Sequence, residues 1–585
     1  MNRKRSFISD FIFRMLPSMI ASQLVITICS IIDTALAGHF LGEQAIAAEG
    51  MVTPVVLVVA GLSSIMAAGN ANICSNESGK CNIDEMNSFF STTVTVSVGI
   101  SLIFTTLVLI FSPVVCMMLG LQRDSVLFEQ TRGYMCGYVL VMPALSVIMI
   151  FPGMLQIEGD NKTSIIAVLT AFLLDIVFDL ANLFVFHGGV FGMAMATTLS
   201  YWISAAFVLV RMSSGNHTVK YSIKSVRLSR IGEIMHDGLP ALIRNLCIAL
   251  STAAINAAFL KFGSERYVSI FTVVSQVGEL LICFPSGMCE LSAMVTGIIN
   301  GEEDREGLKE ILIIMLKKSV IISLALLAVI CFSGDLSARI FTLDKNILSL
   351  AKHGLRIFTI HILFRCISES YIGYLRGIKR HGLGNMILIF MALCTAVYAY
   401  VVPGFLGLES LWYNFVVVML FNLVFIMVII CTISHKNPFM PDAWILKPDS
   451  FGIAKENMME DTSLSVEDLC VFSSDAAEFV NKHGGSKRQK MLVSLCIEEM
   501  GKNIISYAYE KEKDPLLSIK LMFTEEGFKI RFRDNGVHFN PKEYYDLYSG
   551  KDDKVSNFGI RMVFGSASDV TFMNTMSYNN LLVRV

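Results

Sequence analysis

Three aspartates lie inside long apolar stretches of the 585-residue sequence. An ionised aspartate costs at least ~2.5 kcal/mol at the centre of a bilayer, so Asp33, Asp175 and Asp179 are candidates for function. Asp175 and Asp179 are four residues apart and therefore share one face of a helix. Because two like charges so close repel each other, one of these carboxyl groups is expected to keep its proton. Such carboxylates can bind Na⁺ through their oxygens or take up H⁺. We predict one cation site from all three, although Asp33 also suits a helix cap.

A second group of polar residues lies near the C-terminus. Glu499 and Asn503 are one helical turn apart in a run whose apolar residues have helical spacing. Asp534 and Gly536 follow an alternating segment typical of a strand, and Gly559 opens another helical stretch. Alone, the Asn-Gly pair at 535–536 would indicate a hairpin turn. The order of these residues along the chain makes them a candidate site.

The composition separates a membrane part from a water-soluble part. Hydrophobic residues make up 54% of the chain and charged residues 16%, whereas a soluble domain carries about a quarter charged residues. Positions 441–585 hold 40 of the charges and the first 440 positions hold 56, so an entirely soluble protein is excluded. A net charge of −2 gives no basis for a nucleic-acid partner. The 14 cysteines contain no CxxC pair and indicate neither a zinc site nor a disulfide framework.

Twelve apolar stretches are long enough, at about 20 residues each, to cross a bilayer as helices. They lie at roughly 11–37, 46–70, 88–111, 132–157, 163–187, 190–211, 233–260, 267–299, 310–332, 352–377, 383–403 and 410–434. The loop between the sixth and seventh carries five basic residues and no acid before Glu233, which places it in the cytoplasm. An even number of spans then brings both termini to that side. The sequence predicts an all-α polytopic protein of the plasma membrane.

The spans form two sets of six, which we assign to lobes at about 8–212 and 233–435 in a membrane domain of residues 1–437. Two six-helix repeats are an architecture of transporters, with the substrate route between them. Residues 438–463 gather prolines and charges, as in a linker. Residues 464–585, the tail, change from helical to alternating periodicity, which predicts a small α+β domain.

Several motifs in residues 8–435 resemble the multidrug and toxic compound extrusion (MATE) family. They are Ile32-Asp33-Thr34-Ala35-Leu36-Ala37-Gly38-His39, Gly61-Leu62-Ser63-Ser64, Phe178-Asp179, Gly192-Met193-Ala194-Met195-Ala196-Thr197 and Gly238-Leu239-Pro240-Ala241 with Arg244-Asn245. In that family two six-helix lobes form a V and export organic, often cationic compounds in exchange for Na⁺ or H⁺. The resemblance implies a first-lobe cation site at Asp33, Asp175, Asp179 and Thr197. Asp175 stands where many members have Asn, which adds a negative charge.

The tail, residues 464–585, resembles the histidine-kinase-type (Bergerat) ATPase fold and is most similar to the anti-sigma-factor serine kinases. The residues that carry this resemblance are Glu499-x-x-x-Asn503, Asp534-Asn535-Gly536, Phe539-Asn540-Pro541 and Asn557-Phe558-Gly559-Ile560-Arg561. The resemblance implies ATP and Mg²⁺ as cofactors. The glycine-rich lid is reduced to Gly559, and Tyr507 stands where the kinases commonly have His.

The chemistry of these tail residues suits a nucleotide. Asn503 offers a carbonyl oxygen to Mg²⁺, and Glu499 would act catalytically by orienting a water or hydroxyl. Asp534 would accept a hydrogen bond from the adenine amino group. Gly536 permits close backbone approach, and Gly559 at a helix start exposes amides to phosphate.

Three functions stay open at this point. The first is a secondary transporter that exports small organic compounds by antiport with Na⁺ or H⁺, regulated by an ATP-binding tail. The second is a membrane-anchored sensor whose tail phosphorylates a serine of a regulatory protein partner. The third is a flippase for lipid-linked oligosaccharides. The acidic trio favours the first, and the lack of a G-x-x-x-x-G-K-[ST] phosphate loop argues against an ATP-driven pump. Whether the tail hydrolyses ATP, transfers phosphate or only binds nucleotide is open.

Overall fold

The structure is a computed structural model of the chain. It describes residues 7–36, 40–41, 43–118, 121, 123–214, 217–263, 265–333, 345–462, 465–508, 516–537, 540–542, 545, 558–575 and 578–585. Long helices occupy the membrane part of these ranges, and a small sheet with its own helices follows.

The membrane part consists of long helices. They are α1 (Phe7–Leu36), α2 (Glu43–Gly79), α3 (Ile83–Met118), α4 (Val126–Val139), α5 (Met142–Glu158), α6 (Asn161–Ala181), α7 (Gly189–Ser214), α8 (Ile231–Phe262), α9 (Glu265–Gly301), α10 (Arg305–Ser333), α11 (Lys345–Gly377), α12 (His381–Leu406) and α13 (Ser410–Ser434). The fourth predicted span is split into α4 and α5, which meet at a 42° bend beside Pro143. By length and apolar composition, eight of the described helices can cross a membrane, or nine with the bent pair as one span. The count of twelve spans stays a prediction.

The two lobes meet closely where α2 and α9 end. A Cβ atom on Gly79 would overlap the carbonyl oxygen of Ile298, and one on Gly301 would overlap that of Asn76. The Asn300 side chain also donates a hydrogen bond to the Asn76 side chain at 2.6 Å. Glycine at both positions lets the helix backbones touch, so the lobes are shut together here. We call this the closed end of the bundle.

The tail is a five-stranded antiparallel sheet in the order β1-β2-β3-β5-β4, with helices on one face. Its strands are β1 (Met458–Asp461), β2 (Leu517–Thr524), β3 (Gly527–Asp534), β4 (Asp569–Thr575) and β5 (Tyr578–Arg584). After the short helix α14 (Pro441–Trp444), the tail helices are α15 (Val466–Lys482), α16 (Lys487–Asn503) and α17 (Phe558–Ser566). An α+β order is what the change of periodicity predicted.

One strand lies inside the stretch whose composition is that of a linker. β1 begins at Met458 and pairs with β2, where Met458 lies opposite Met522. Its four residues are too few to show strand periodicity, so only the pairing reveals it. The sheet therefore begins before residue 464.

The two faces of the sheet have different partners. Phe532 and its alternate neighbours pack under α15, α16 and α17. Because successive strand residues point to opposite faces, Arg531 and Arg533 lie on the other side. On that side Met522 and Leu582 belong to the hydrophobic core of the helix bundle. The sheet thus lies between its own helices and the closed end.

Candidate functional site

The first lobe presents its acidic residues on one buried face of α6. That face repeats every four residues as Ala167, Ala171, Asp175 and Asp179, all of them buried. Small side chains before the two aspartates let α6 lie close to its neighbours, and α6 packs against α7 and α1. The structure therefore brings Asp175 and Asp179 one turn apart into the interior of the lobe.

A serine of α7 contacts the first of these carboxylates. The Ser200 hydroxyl donates to the Thr197 carbonyl at 2.8 Å, and Asp175 Oδ1 lies 3.4 Å from the same hydroxyl as an alternative acceptor of its one proton. Thr197 is half-buried one turn earlier on α7. Its own hydroxyl lies 3.4 Å from the Met193 carbonyl, which accepts its hydrogen bond. Ser200 was not among the predicted residues, although its position three residues after Thr197 on the same helix face is a signal for it.

Asp33 is the third predicted member of the cation site. It lies in the last turn of α1, and its side chain falls outside the described residues. The α1 helix does pack along α6. Convergence of all three carboxylates on one ion stays a prediction.

A π-helical turn follows directly on this acidic face. It spans Asn182–Phe186, and the Asn182 side chain donates to the Gly189 carbonyl at 3.0 Å. The same side chain accepts from the Gly188 amide at 3.0 Å, which ties the end of α6 to the start of α7. π-turns occur often at functional sites because they interrupt a regular helix.

In the tail, two of the predicted nucleotide residues are in direct contact. Gly559, at the start of α17, lies so close to Glu499 of α16 that a Cβ on the glycine would overlap the carboxylate. Asn503 is the last residue of α16, one turn beyond Glu499. The side chain of Tyr507 and residue Asn557 lie outside the described part of the chain.

Asp534 closes a small polar network at the end of β3. Its Oδ1 accepts hydrogen bonds from Asn579 Nδ2 at 2.8 Å and from the Gly536 amide at 2.9 Å. Asp534 is two residues after Phe532 on β3, and residues two apart on a strand point to the same face. The carboxyl group of Asp534 therefore lies on the helix-facing side of the sheet. Burial raises the pKa of Asp534 to about 6, against the lowering effect of its two donors.

The other face of β3 forms ion pairs with the α9–α10 turn of the second lobe. Arg531 and Arg533 both pair with Glu302, the former at 2.9 Å, and all three side chains are largely buried. Lys520 of β2 pairs with Asp304 at 2.8 Å. Burial alone would raise the pKa of Asp304, but the Lys520 ammonium group holds it below its usual value. We call these five residues the sheet–bundle interface.

The sheet also contacts the first lobe. The Tyr578 hydroxyl donates to Asp10 of α1 at 2.7 Å, and its ring packs edge-on against Phe7 at 4.9 Å. Arg531 donates a second bond to the Gly79 carbonyl at the end of α2, at 3.1 Å. One face of the tail sheet therefore holds both lobes at the closed end.

Comparison with known proteins agrees with this architecture. A family model described as MatE matches residues 18–181 and 240–401, one range in each lobe and together more than half of the chain. The chain belongs to the MatE family. This MatE protein is accordingly a multi-pass membrane transporter, and the matched ranges end before the tail.

Relatives of this MatE protein carry export names. The Multidrug export protein MepA of Staphylococcus aureus (strain NCTC 8325 / PS 47) is 23% identical over 372 residues, which cover 62% of this chain and 80% of MepA. The protein of the same name from Staphylococcus saprophyticus is 22% identical over 408 residues, 68% of this chain and 88% of that protein.

Solved structures share the fold of this MatE protein. A crystal structure of MATE in complex with MaL6 is similar with a TM-score of 0.66 and 20% identity, over 72% of this chain and 95% of that one. A multidrug resistance MATE family transporter in an outward-facing conformation also has a TM-score of 0.66 at 20% identity, over 72% of this chain and 94% of that one.

Proposed function

We propose that this chain exports small organic compounds, among them cationic drug-like ones, by antiport with Na⁺ or H⁺. Membership of the MatE family supports a transporter, and the drug-export names of its relatives support the substrate class. The observation that carries the coupling is the pair of buried carboxylates on α6, each about 1% exposed.

The physical logic of exchange follows from the cost of buried charge. Two carboxylates inside the first lobe need a positive charge whenever water is excluded from them. A Na⁺ ion, a proton or a cationic compound each meets that need. Because these species neutralise the same acids, occupancy by one displaces another, and this competition links inward flow of the ion to outward flow of the substrate.

Replacement of Asp179 by Asn tests the coupling. Asp179→Asn removes one carboxylate without changing side-chain size, so gradient-driven efflux from proteoliposomes should stop while the protein still purifies as a folded monodisperse species. Asp124→Asn, at an exposed acid of the same lobe, is the matched control and should transport normally. Unchanged transport by Asp179→Asn would reject a coupling role for this residue.

We propose that the tail binds ATP with Mg²⁺ on the cytoplasmic side and so regulates transport. The contact of Glu499 with Gly559 and the position of Asp534 on the helix-facing side of β3 support a nucleotide between sheet and helices. The basic loop between the lobes supports the orientation, because its Arg227 and Arg230 pair with Glu85 near the closed end, which also holds the tail.

Adjacent residues of the tail sheet contact the helix bundle on one face and the proposed nucleotide site on the other, which supports a physical link between them. Arg533 faces Glu302 of the bundle, and the next residue, Asp534, faces the proposed nucleotide. The same holds on β5, where Tyr578 contacts Asp10 and Asn579 contacts Asp534. A shift of β3 and β5 on nucleotide binding would thus move the groups that hold the lobes together. A ligand biases two states only by its differential affinity for them, so ATP would change how long the closed end stays shut.

A further inference from the structure

The second lobe contains a largely buried group of charged residues that the proposed cation site does not use. It consists of Arg244 on α8, Glu290 on α9, and Arg365, Glu369 and Arg376 on α11. We call these five residues the second-lobe cluster. Three arginines and two glutamates leave it with one positive charge in excess.

The ion pairs show where that excess lies. Arg376 and Glu290 form a two-bonded pair, with Nη1–Oε1 at 2.7 Å and Nη2–Oε2 at 3.3 Å. Glu369 is shared by two arginines, since its Oε2 lies 2.9 Å from Arg244 Nη2 and its Oε1 lies 3.9 Å from Arg365 Nε. Within the described residues, Arg365 Nε has no hydrogen-bond partner and no third acid pairs with these arginines. Among the same residues, Arg376 Nε also has no hydrogen-bond partner, but Arg376 is paired with Glu290 at 2.7 Å, whereas the ion pair of Arg365 is the 3.9 Å contact. Arg365 is therefore the arginine of the cluster that is held most weakly.

The neighbours of the cluster do not supply the missing negative charge. The Cys289 thiol accepts a hydrogen bond from Arg244 Nη2 at 2.7 Å. His361, one turn before Arg365, hydrogen-bonds through Nδ1 to the Phe358 carbonyl at 2.9 Å, which a neutral imidazole satisfies. Both groups are polar contacts rather than counter-charges.

The cluster lies at the boundary between the lobes. Arg376 Nη2 reaches Asn72 Oδ1 of the first lobe at 3.5 Å. Beside it, 42% of the Glu290 side chain is exposed, so the cluster is accessible at its Arg376 end. Arg244 is about 20 Å along α8 from the helix start at Ile231, deep in the lobe. In two-lobe transporters this boundary is the substrate route.

We propose that the second-lobe cluster binds the anionic group of a transported organic compound, a carboxylate or a phosphate, with Arg365 as its main donor. This inference rests on the proposed export function and extends its substrate class to organic anions and zwitterions. An uncompensated charge is costly where water is excluded. The excess positive charge of this cluster therefore needs a negative partner, just as the acids of the first lobe need a positive one. The planar guanidinium group matches the paired oxygens of a carboxylate or phosphate.

Binding of a matched pair of xanthene dyes to the full chain in nanodiscs tests this site. The probes are carboxyfluorescein, an organic anion, and rhodamine 123, an organic cation, each followed by fluorescence polarisation. Arg365→Gln removes the excess charge and a charge-assisted bond, so we expect carboxyfluorescein to bind about 10- to 100-fold more weakly. Arg365→Lys keeps the charge and should retain most of the affinity, and Glu369→Gln increases the excess and should tighten binding.

Two controls separate this proposal from the proposed export function and from a small inorganic anion. Rhodamine 123 efflux by the unmodified chain, driven by an ion gradient, reports the proposed export function. Loss of carboxyfluorescein binding in Arg365→Gln together with its retention in Arg365→Lys reports the anion site. An unmodified chain that exports rhodamine 123 but does not bind carboxyfluorescein overturns the anion site alone. The second control measures carboxyfluorescein binding in gluconate buffer and then in chloride buffer. If the binding disappears in chloride and the chain does not export carboxyfluorescein, the cluster is a chloride site and the proposal is overturned.

Discussion

Asp534, which we propose as a nucleotide ligand, carries a cost in stability when it is ionised. In the folded tail its pKa is raised from 3.8 to about 6 because burial disfavours the charged form. The folded chain therefore binds this proton more tightly than the unfolded chain. Its contribution to stability falls as the pH rises from about 4 to about 6, and above that range the ionised carboxylate costs up to about 3 kcal/mol.

Asp534→Asn should therefore stabilise the tail at neutral pH while it weakens ATP binding. The amide keeps the size of the side chain and removes the buried charge, but it loses the carboxylate that would accept from the adenine amino group. Hydrogen exchange of β3 and β5 in the full chain should slow at about pH 7 and change little below about pH 4. Glu525→Gln, at the exposed β2–β3 turn, is the control. Faster exchange at pH 7, or unaltered ATP binding, would contradict this account of Asp534.

In the candidate first-lobe site, the sequence predicts only those placements that follow from the helical repeat of about 3.6 residues. Asp175 and Asp179 were identified because two acids four residues apart in an apolar stretch must share a face, and the structure buries both. Ser200 was missed because hydroxyl side chains are common in membrane helices, where they also bond to their own backbone, as Ser200 does to Thr197. Its contact with Asp175 depends on how α7 lies against α6, which neither sequence stretch specifies alone.

At the scale of elements, the α9–α10 turn holds the tail to the bundle through one acid. Glu302 is buried with two arginines of β3, so Glu302→Gln removes the carboxylate with which both guanidinium groups pair. Loss of one partner from a buried ionic group typically costs about 3–5 kcal/mol, which should undock the sheet from the closed end. Hydrogen exchange of 298–305, 573–575 and 578–582 should then accelerate.

The neighbouring acid provides the control for this experiment. Glu303 is exposed and follows Glu302 directly, so Glu303→Gln removes the same charge from the same turn without touching the arginines. Equal acceleration in both variants would indicate that the net charge of the turn, and not the Glu302 pairing, holds the sheet.

The elements themselves differ in how far sequence predicts them. The described residues of the twelve predicted spans lie mainly on helices, and eight of the described helices, or nine with the bent pair as one span, are long and apolar enough to cross a membrane. β1 was not predicted, because a four-residue edge strand has too few positions for a period and its stability comes from pairing with β2. The bend between α4 and α5 lies beside Pro143, which sequence reasoning could have used.

At the scale of the whole molecule, the docked tail was beyond sequence reasoning. Its contacts join residues hundreds of positions apart, such as Asp10 with Tyr578 and Glu302 with Arg533. Each of these residues alone resembles an ordinary surface charge or strand residue. Only the folded sheet shows that one of its faces spans both lobes, which is the basis for our proposal that the tail regulates transport and does not power it.

The central claim, an ion-driven exporter with a regulatory tail, is tested most directly by transport in proteoliposomes that hold the full chain. Na⁺ and H⁺ gradients are imposed separately, with ATP, a non-hydrolysable ATP analogue or no nucleotide on the tail side, and efflux of rhodamine 123 is followed. We expect one of the gradients to sustain transport without nucleotide, and ATP and its analogue to change the rate alike, within about 5- to 150-fold as for typical allosteric coupling. Transport that requires hydrolysable ATP and ignores both gradients would contradict the account.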